Sequence, residues 1–153
     1  MNTRLMLAVG AVVYCMSSSA VFADELILAS DSVSKKGTQV ISLDLLSDGQ
    51  AAGVEARINV QAPKGARVDT SNCAKAAPKS HIASCVYNGK EVVVLLYSMK
   101  NESLPSGMID LGTIHVEGVR AGVAKAAATP VVTKFLAAAA DGDVVDSKVH
   151  AAE

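Results

Sequence analysis

Residues 53–61 read GVEARINVQ, and apolar side chains occupy every second position from residue 54 to residue 60. The intervening Glu55, Arg57 and Asn59 are polar. Because successive side chains of a β-strand point to opposite faces of the sheet, this alternation predicts a strand with one face in a core and one face in water. The stretch therefore indicates a β protein.

The same two-residue repeat appears upstream of this stretch. Within residues 38–46, Ile41, Leu43 and Leu45 share one face, and Ser47-Asp48-Gly49 then ends the segment. Pro63-Lys64-Gly65 turns the chain after the quoted strand. Short alternating segments separated by turn residues predict an all-β, jelly-roll-like sandwich of about eight or nine strands.

Residues 82–99 predict a hairpin. Asn88-Gly89 lies between two β-rich runs and suits a two-residue type I′ turn, which pairs Cys85 with Val92. The return strand, residues 91–98, is almost entirely apolar. Strands that are covered on both faces have this composition, so we place it centrally in a sheet.

The periodicity of residues 108–117 changes phase within the segment. Ile109 and Leu111 occupy odd positions, whereas Ile114 and Val116 occupy even ones. One extra residue at Gly112 or Thr113 would return all four side chains to one face, so we predict a β-bulge there.

The first 23 residues have the anatomy of a secretory signal peptide. Arg4 gives a positive start, residues 5–13 are apolar, and small residues precede a cleavage site after Ala23. Cys15 also suits a bacterial lipoprotein, but Tyr14 is too large for the position before a lipidated cysteine. We therefore expect a periplasmic or secreted protein with one domain, residues 24–153, and no membrane span.

Composition narrows the chemistry of the exported chain. Without residues 1–23 it carries thirteen basic and fifteen acidic residues, a net charge of −2, which does not predict a nucleic-acid partner. Cys73 and Cys85 are the two cysteines that remain, and in an oxidising compartment they predict a disulfide. A zinc site from these cysteines and His81 is the alternative, although it lacks a fourth ligand.

No catalytic apparatus or cofactor site is recognisable in the sequence. No nucleophile-elbow pattern surrounds a serine, and His115 lies between two apolar residues on an outward strand position. Asp141, Asp143 and Asp146 are spaced loosely like calcium ligands, but their glycine falls in the wrong place for a calcium loop. We expect a protein that is not an enzyme and has no cofactor.

Several segments, in order, resemble those of a cohesin domain, the β-sandwich module that holds dockerins in bacterial cellulosomes. The resemblance covers most of residues 26–149. It is carried by Lys36-Gly37-Thr38 leading into Val40–Leu46, Ala52-Gly53-Val54-Glu55-Ala56, Val93–Ser98 followed by Leu104-Pro105-Ser106-Gly107, Leu111–Val116, and Asp141-Gly142-Asp143-Val144. The resemblance also favours a strand over a helix for the alanine-rich residues 124–140, followed by a last short strand at Val144-Val145.

The resemblance implies a non-catalytic module that recognises an exported protein, dockerin-like or other, through a sheet face. That face would include Glu55, Arg57 and Asn59 on the quoted strand. The alternative is a carbohydrate-binding or adhesin-type subunit of the envelope that binds polysaccharide through exposed aromatic side chains. Tyr87, beside the predicted turn, and Tyr97 are the candidates for that role.

Overall fold

The computed structural model describes residues 23–120 and 128–151, so the predicted signal peptide up to residue 22 lies outside the described residues. Within them, ten strands are found. They are β1 (Asp24–Ser30), β2 (Thr38–Ser47), β3 (Ala51–Asn59), β4 (Arg67–Cys73), β5 (Ile82–Tyr87), β6 (Glu91–Tyr97), β7 (Gly107–Glu117), β8 (Val131–Ala139), β9 (Val144–Val145) and β10 (Ser147–Ala151).

The strands form two five-stranded sheets that face each other. The first sheet has the order β10-β1-β2-β7-β4, and the second has the order β5-β6-β3-β8-β9. Neighbouring strands are antiparallel except β1 and β10, which run parallel. The predicted all-β sandwich is confirmed. It has ten strands, whereas about eight or nine were predicted, because β4 and β10 were not recognised in the sequence.

The core between the sheets is aliphatic, and its largest fully buried side chains are Leu, Ile and Val. The alternating side chains Ile41, Leu43 and Leu45 of β2 are fully buried, and Ile58 of β3 meets them from the other sheet. The polar Arg57 on the same strand points away from this core. The two-residue repeat therefore gives the correct inward face for both central strands.

Strand β7 contains the predicted bulge. Leu43 pairs with Gly112 and Asp44 pairs with Asp110, which leaves Leu111 as the extra residue. Gly112 adopts a φ of 87°, a left-handed conformation that glycine takes without strain. The bulge keeps Leu111 buried and lets Ile109 before it and Ile114 after it both face the core.

The hairpin of β5 and β6 has a different register from the predicted one. Cys85 pairs with Val94 rather than Val92, so each pairing is shifted by two residues. The turn is centred on Gly89-Lys90, and the Asn88 side chain accepts hydrogen bonds from the backbone N–H groups of Lys90 and Glu91, at 3.0 and 2.8 Å. Glycine at the first central position is typical of a type II′ turn.

Both open sides of the sandwich are tied by covalent structure. At one side the Cys73–Cys85 disulfide joins β4, an edge strand of the first sheet, to β5, an edge strand of the second. At the other side the chain passes at Asp146 from β9 of the second sheet to β10 of the first. The disulfide prediction is confirmed, and both sulfurs of the alternative zinc site are used in the bond.

The strand predicted for residues 124–140 is confirmed for residues 131–139, whereas residues 128–130 and Ala140 lie outside the strand. β8 covers Val131–Ala139 and pairs with β3 along its length. Residues 124–127 of the prediction lie outside the described residues. The short strand at Val144-Val145 is also present, although β10 follows it.

Candidate functional site

The candidate site is the outer face of the second sheet. The outward residues of β3 fix its rows, because residues directly opposite each other in an antiparallel pair share a face. Glu55 lies between Leu95 of β6 and Leu136 of β8. One row away, Gly53 lies between Tyr97 and Ala138.

This outer face is rich in exposed apolar side chains. Of the ten large hydrophobic side chains that are exposed in the described residues, seven lie on it. They are Ile82, Val86, Leu95, Tyr97, Val131, Leu136 and Val144. We call these seven residues, with the outward residues of β3 between them, the apolar face.

The outer face of the first sheet is different in character. The outward side chains of β2 and β7 include Ser42, Asp44, Asp110 and His115. Among the outward positions at which these two strands pair, Met108 is the large exposed hydrophobic side chain. Scattered single hydrophobic side chains are normal on protein surfaces, whereas a contiguous set marks an interaction site. The contrast between the two faces therefore selects the second sheet.

A small charged cluster interrupts the apolar face at its centre. The two oxygens of Glu55 bond separately, one to Arg57 Nε at 2.8 Å and one to Lys134 Nζ at 2.8 Å. The hydrogen bond from Lys134, followed by the one from Arg57, holds the pKa of the Glu55 carboxyl below its usual value. Two cations thus share one carboxylate, and exposed pairs of this kind contribute at most about 1 kcal/mol to stability.

A shallow hollow lies over Gly53 beside this cluster. It has a volume of about 250 Å³, and its lining includes Leu95, Tyr97, Leu136 and Ala138. Gly53 has no side chain to fill it, and an added Cβ would lie 3.0 Å from the backbone oxygen of Leu96. The close approach of β6 therefore favours glycine at this position, and the glycine leaves the hollow open.

The structure brings together three of the four residues predicted for the site. Glu55 and Arg57 are bonded to each other, and Asn59 lies two residues further along the same face, where its side chain accepts a hydrogen bond from Gln61 N at 3.0 Å. Tyr87 is on the other face of its sheet. It pairs with the buried Val92 and packs, half-buried, against the core.

Sequence reasoning missed the residues that make the face apolar. β6 does lie inside its sheet, between β5 and β3, but the prediction that both of its faces are covered is wrong. Leu95 is 37% exposed and Tyr97 is 43% exposed. Leu95 and Tyr97 alternate along β6 with the buried Val94 and Leu96. This alternation of exposed and buried positions cannot be read from the sequence, because the side chains of both faces are largely apolar.

The remaining candidate residues form no site in the described part of the chain. His115 is half-buried beside Thr113, with 3.1 Å between His115 Nε2 and Thr113 Oγ1. Asp141 accepts a hydrogen bond from Asp143 N within an exposed turn. Among the described residues, no three acidic, histidine or cysteine side chains are grouped so that they could hold a metal. Nor do those residues form a helix of the length and apolarity that a membrane span requires.

Comparison with solved structures identifies the architecture. The chain is similar to a non-cellulosomal cohesin from the hyperthermophilic archaeon Archaeoglobus fulgidus, with a TM-score of 0.60 at 10% identity over 85% of this chain and 88% of that one. The protein has a cohesin-like fold. No family model matches its sequence, and no curated protein is similar to it in sequence.

Two further structures share this cohesin-like fold. The sixth cohesin of scaffoldin B from Acetivibrio cellulolyticus, solved in complex with a mutant Cel5 dockerin, has a TM-score of 0.59 at 10% identity over 82% of this chain and 94% of that one. A cohesin module of a family 33 glycoside hydrolase from Clostridium perfringens has a TM-score of 0.54 at 11% identity over 85% of this chain and 98% of that one. At this identity the comparison establishes the fold.

Proposed function

We propose that this protein is a non-catalytic binding module that recognises a protein partner through the apolar face. The observation that carries the proposal is the concentration of seven exposed hydrophobic side chains on the outer side of one sheet. Burying such side chains against a partner releases about 25 cal/mol for each Å² of apolar area removed from water. The rigid sandwich behind them is suited to recognition because its strands hold the side chains in fixed positions.

The partner we propose is an exported protein that carries a dockerin-like module. Cohesins with this fold have been solved in dockerin complexes, among them the sixth cohesin of scaffoldin B and a type II cohesin, both from Acetivibrio cellulolyticus. Residues 1–23, with the anatomy of a signal peptide, support export to the periplasm or beyond the cell. An exported partner would meet the module in the same compartment.

Polysaccharide binding has less support from the arrangement of aromatic side chains. Sugar-binding sandwiches stack their ligands on exposed aromatic rings. Of the two candidates, Tyr87 is turned toward the core, and Tyr97 stands on the apolar face without a second ring beside it in the described residues. If the wild-type chain binds a polysaccharide and Tyr97→Ala abolishes that binding, the proposal is overturned.

The experiment titrates purified dockerin-type modules from the source organism into the chain by calorimetry. Leu95→Lys and Leu136→Lys place charges on the apolar face and should abolish binding. Met108→Lys is the matched control, because this exposed side chain lies on the outer face of the other sheet. Binding that survives both face variants, or that is lost only with Met108→Lys, would refute the proposal.

A further inference from the structure

The hollow over Gly53 is large enough to receive one bulky amino-acid side chain. At about 250 Å³ it is below the roughly 300–1,000 Å³ of sites that enclose a small-molecule ligand. Leu95 and Tyr97 bound it on the β6 side, and Leu136 and Ala138 on the β8 side. A partner that lies across this sheet can therefore insert one bulky apolar side chain there.

The hollow is a fixed feature because its floor is backbone. Gly53 faces outward between Tyr97 and Ala138, so the middle of this row has one absent and one small side chain. The pairing of β3 with β8 is irregular between Ala51 and Gly53, which places the hollow next to a bulge. Bulges at the rim of a sheet often shape binding sites.

The charges next to the hollow indicate which group of the partner should lie beside the inserted side chain. Arg57 and Lys134 are 46% and 38% exposed in their side chains, and they share the single carboxylate of Glu55. The next acidic group on this face, Glu91, accepts a hydrogen bond from Thr133 further along the sheet. Glu55 lines the hollow, and the cluster that it forms with Arg57 and Lys134 carries a net charge of +1, so a carboxylate from a partner would complement it.

We propose that the partner anchors in this hollow through one bulky apolar side chain, with an acidic side chain beside it that bonds to Arg57 or Lys134. This inference rests on the proposed function and adds the chemistry of the partner's contact residues. The cationic groups of Arg57 and Lys134 lie at the Glu55 carboxylate, one row of the sheet from Gly53. The two partner side chains should therefore be about 7 Å apart, since outward residues repeat every second position along a strand.

The test uses a display library of random twelve-residue peptides, selected on the wild-type chain alone and then assayed for binding to the Ala138→Leu variant. Leucine at this outward position fills the hollow without touching the core. Ser84→Leu is the matched control, because it adds the same side chain to the same face opposite Leu95 but outside the lining of the hollow. Thermal unfolding of each variant establishes that it is folded, and Ala138→Met serves as a second filling variant.

Enriched peptides should combine a bulky apolar residue with Asp or Glu, and Ala138→Leu should weaken them by at least about tenfold. Lys134→Ala should weaken the acidic peptides by about tenfold and leave their neutral analogues unchanged. Enrichment of basic peptides, equal binding to Ala138→Leu, or no enrichment at all would overturn the inference. If a dockerin-type module loses binding on Leu95→Lys but tolerates Ala138→Leu, the proposed function stands and the anchor inference fails.

Discussion

Replacing both Cys73 and Cys85 with alanine should lower the free energy of unfolding by about 3 kcal/mol. The two cysteines are 12 residues apart in sequence. In the chain-entropy model, closing a loop of that length in the unfolded chain removes conformational entropy worth about 3 kcal/mol at 25 °C. Cys73 is also buried, so the lost sulfur adds a small packing cost to this figure.

Equilibrium unfolding in urea measures the effect. For a urea m-value of about 1.5 kcal/mol/M, the midpoint should fall by about 2 M. The wild-type chain in a reducing buffer is the control, and it should unfold close to the double variant because both lack the cross-link. The m-value of the variant should be equal or slightly larger, since its unfolded chain is free to expand.

Two results would refute this reasoning. A change below about 0.5 kcal/mol would mean that the bridge does not restrict the unfolded chain as the model requires. A loss above about 6 kcal/mol would mean that the disulfide mainly holds β4 and β5 together in the native sandwich. In that case binding through the apolar face should fail as well, because β5 carries Ile82 and Val86.

Three further predictions concern individual residues. Burial, with the nearby Asp48 carboxylate in a smaller part, raises the pKa of the buried Asp24, so its charge destabilises the fold at pH values above that pKa. Asp24→Asn should raise the free energy of unfolding by about 1 kcal/mol at pH 7, and this gain should shrink as the pH falls toward 3.8. A gain that does not vary with pH would contradict the assignment. Lys134→Ala should raise the pKa of Glu55 toward the ordinary value of a glutamate side chain, 4.5, as carboxyl NMR titration measures. The stability that the wild type loses as the pH falls below 4.5 should then be reduced in the variant, and an unchanged pKa would exclude the bond. Gly112→Ala should lower the free energy of unfolding in urea by at least about 2 kcal/mol, because the new Cβ collides with the backbone carbonyl of Asn72. The control Gly65→Ala has the same φ of 87° but open space around it, so equal losses would mean that only the backbone angle matters.

The fold could be predicted from the sequence wherever polar and apolar residues alternate. In β3 the polar Glu55 and Arg57 mark the outer face, and the buried Ile58 marks the inner one. In β7 the change of phase after Leu111 revealed the bulge. Both inferences use only the direction of side chains along one strand, which the local sequence determines.

The register of the hairpin could not be predicted in the same way. Asn88-Gly89 suits the centre of a type I′ turn, but asparagine also caps a turn from its first position, as Asn88 does here. The two arrangements differ by two residues in pairing, so they leave every side chain on the same face. Alternation along the strands therefore cannot distinguish between them.

The candidate site was predicted in part, for a related reason. Glu55, Arg57 and Asn59 were assigned to the correct face because they are polar on an alternating strand. The exposure of Leu95 was missed because, after Glu91, β6 has no charged residue to show which of its sides is exposed. Its exposure depends on what covers the second sheet, and no part of the described chain does so.

The parallel pairing of β1 with β10 has a mechanical consequence. Asp24 lies beside Ser147, and Leu28 lies beside Ala151, so Asp24 and Ala151 are offset by about 13 Å along the strands. A tension applied between those two residues would pull the strands past each other lengthwise. The hydrogen bonds of the ladder would then bear the load together instead of opening one at a time, an arrangement suited to a tether under strain.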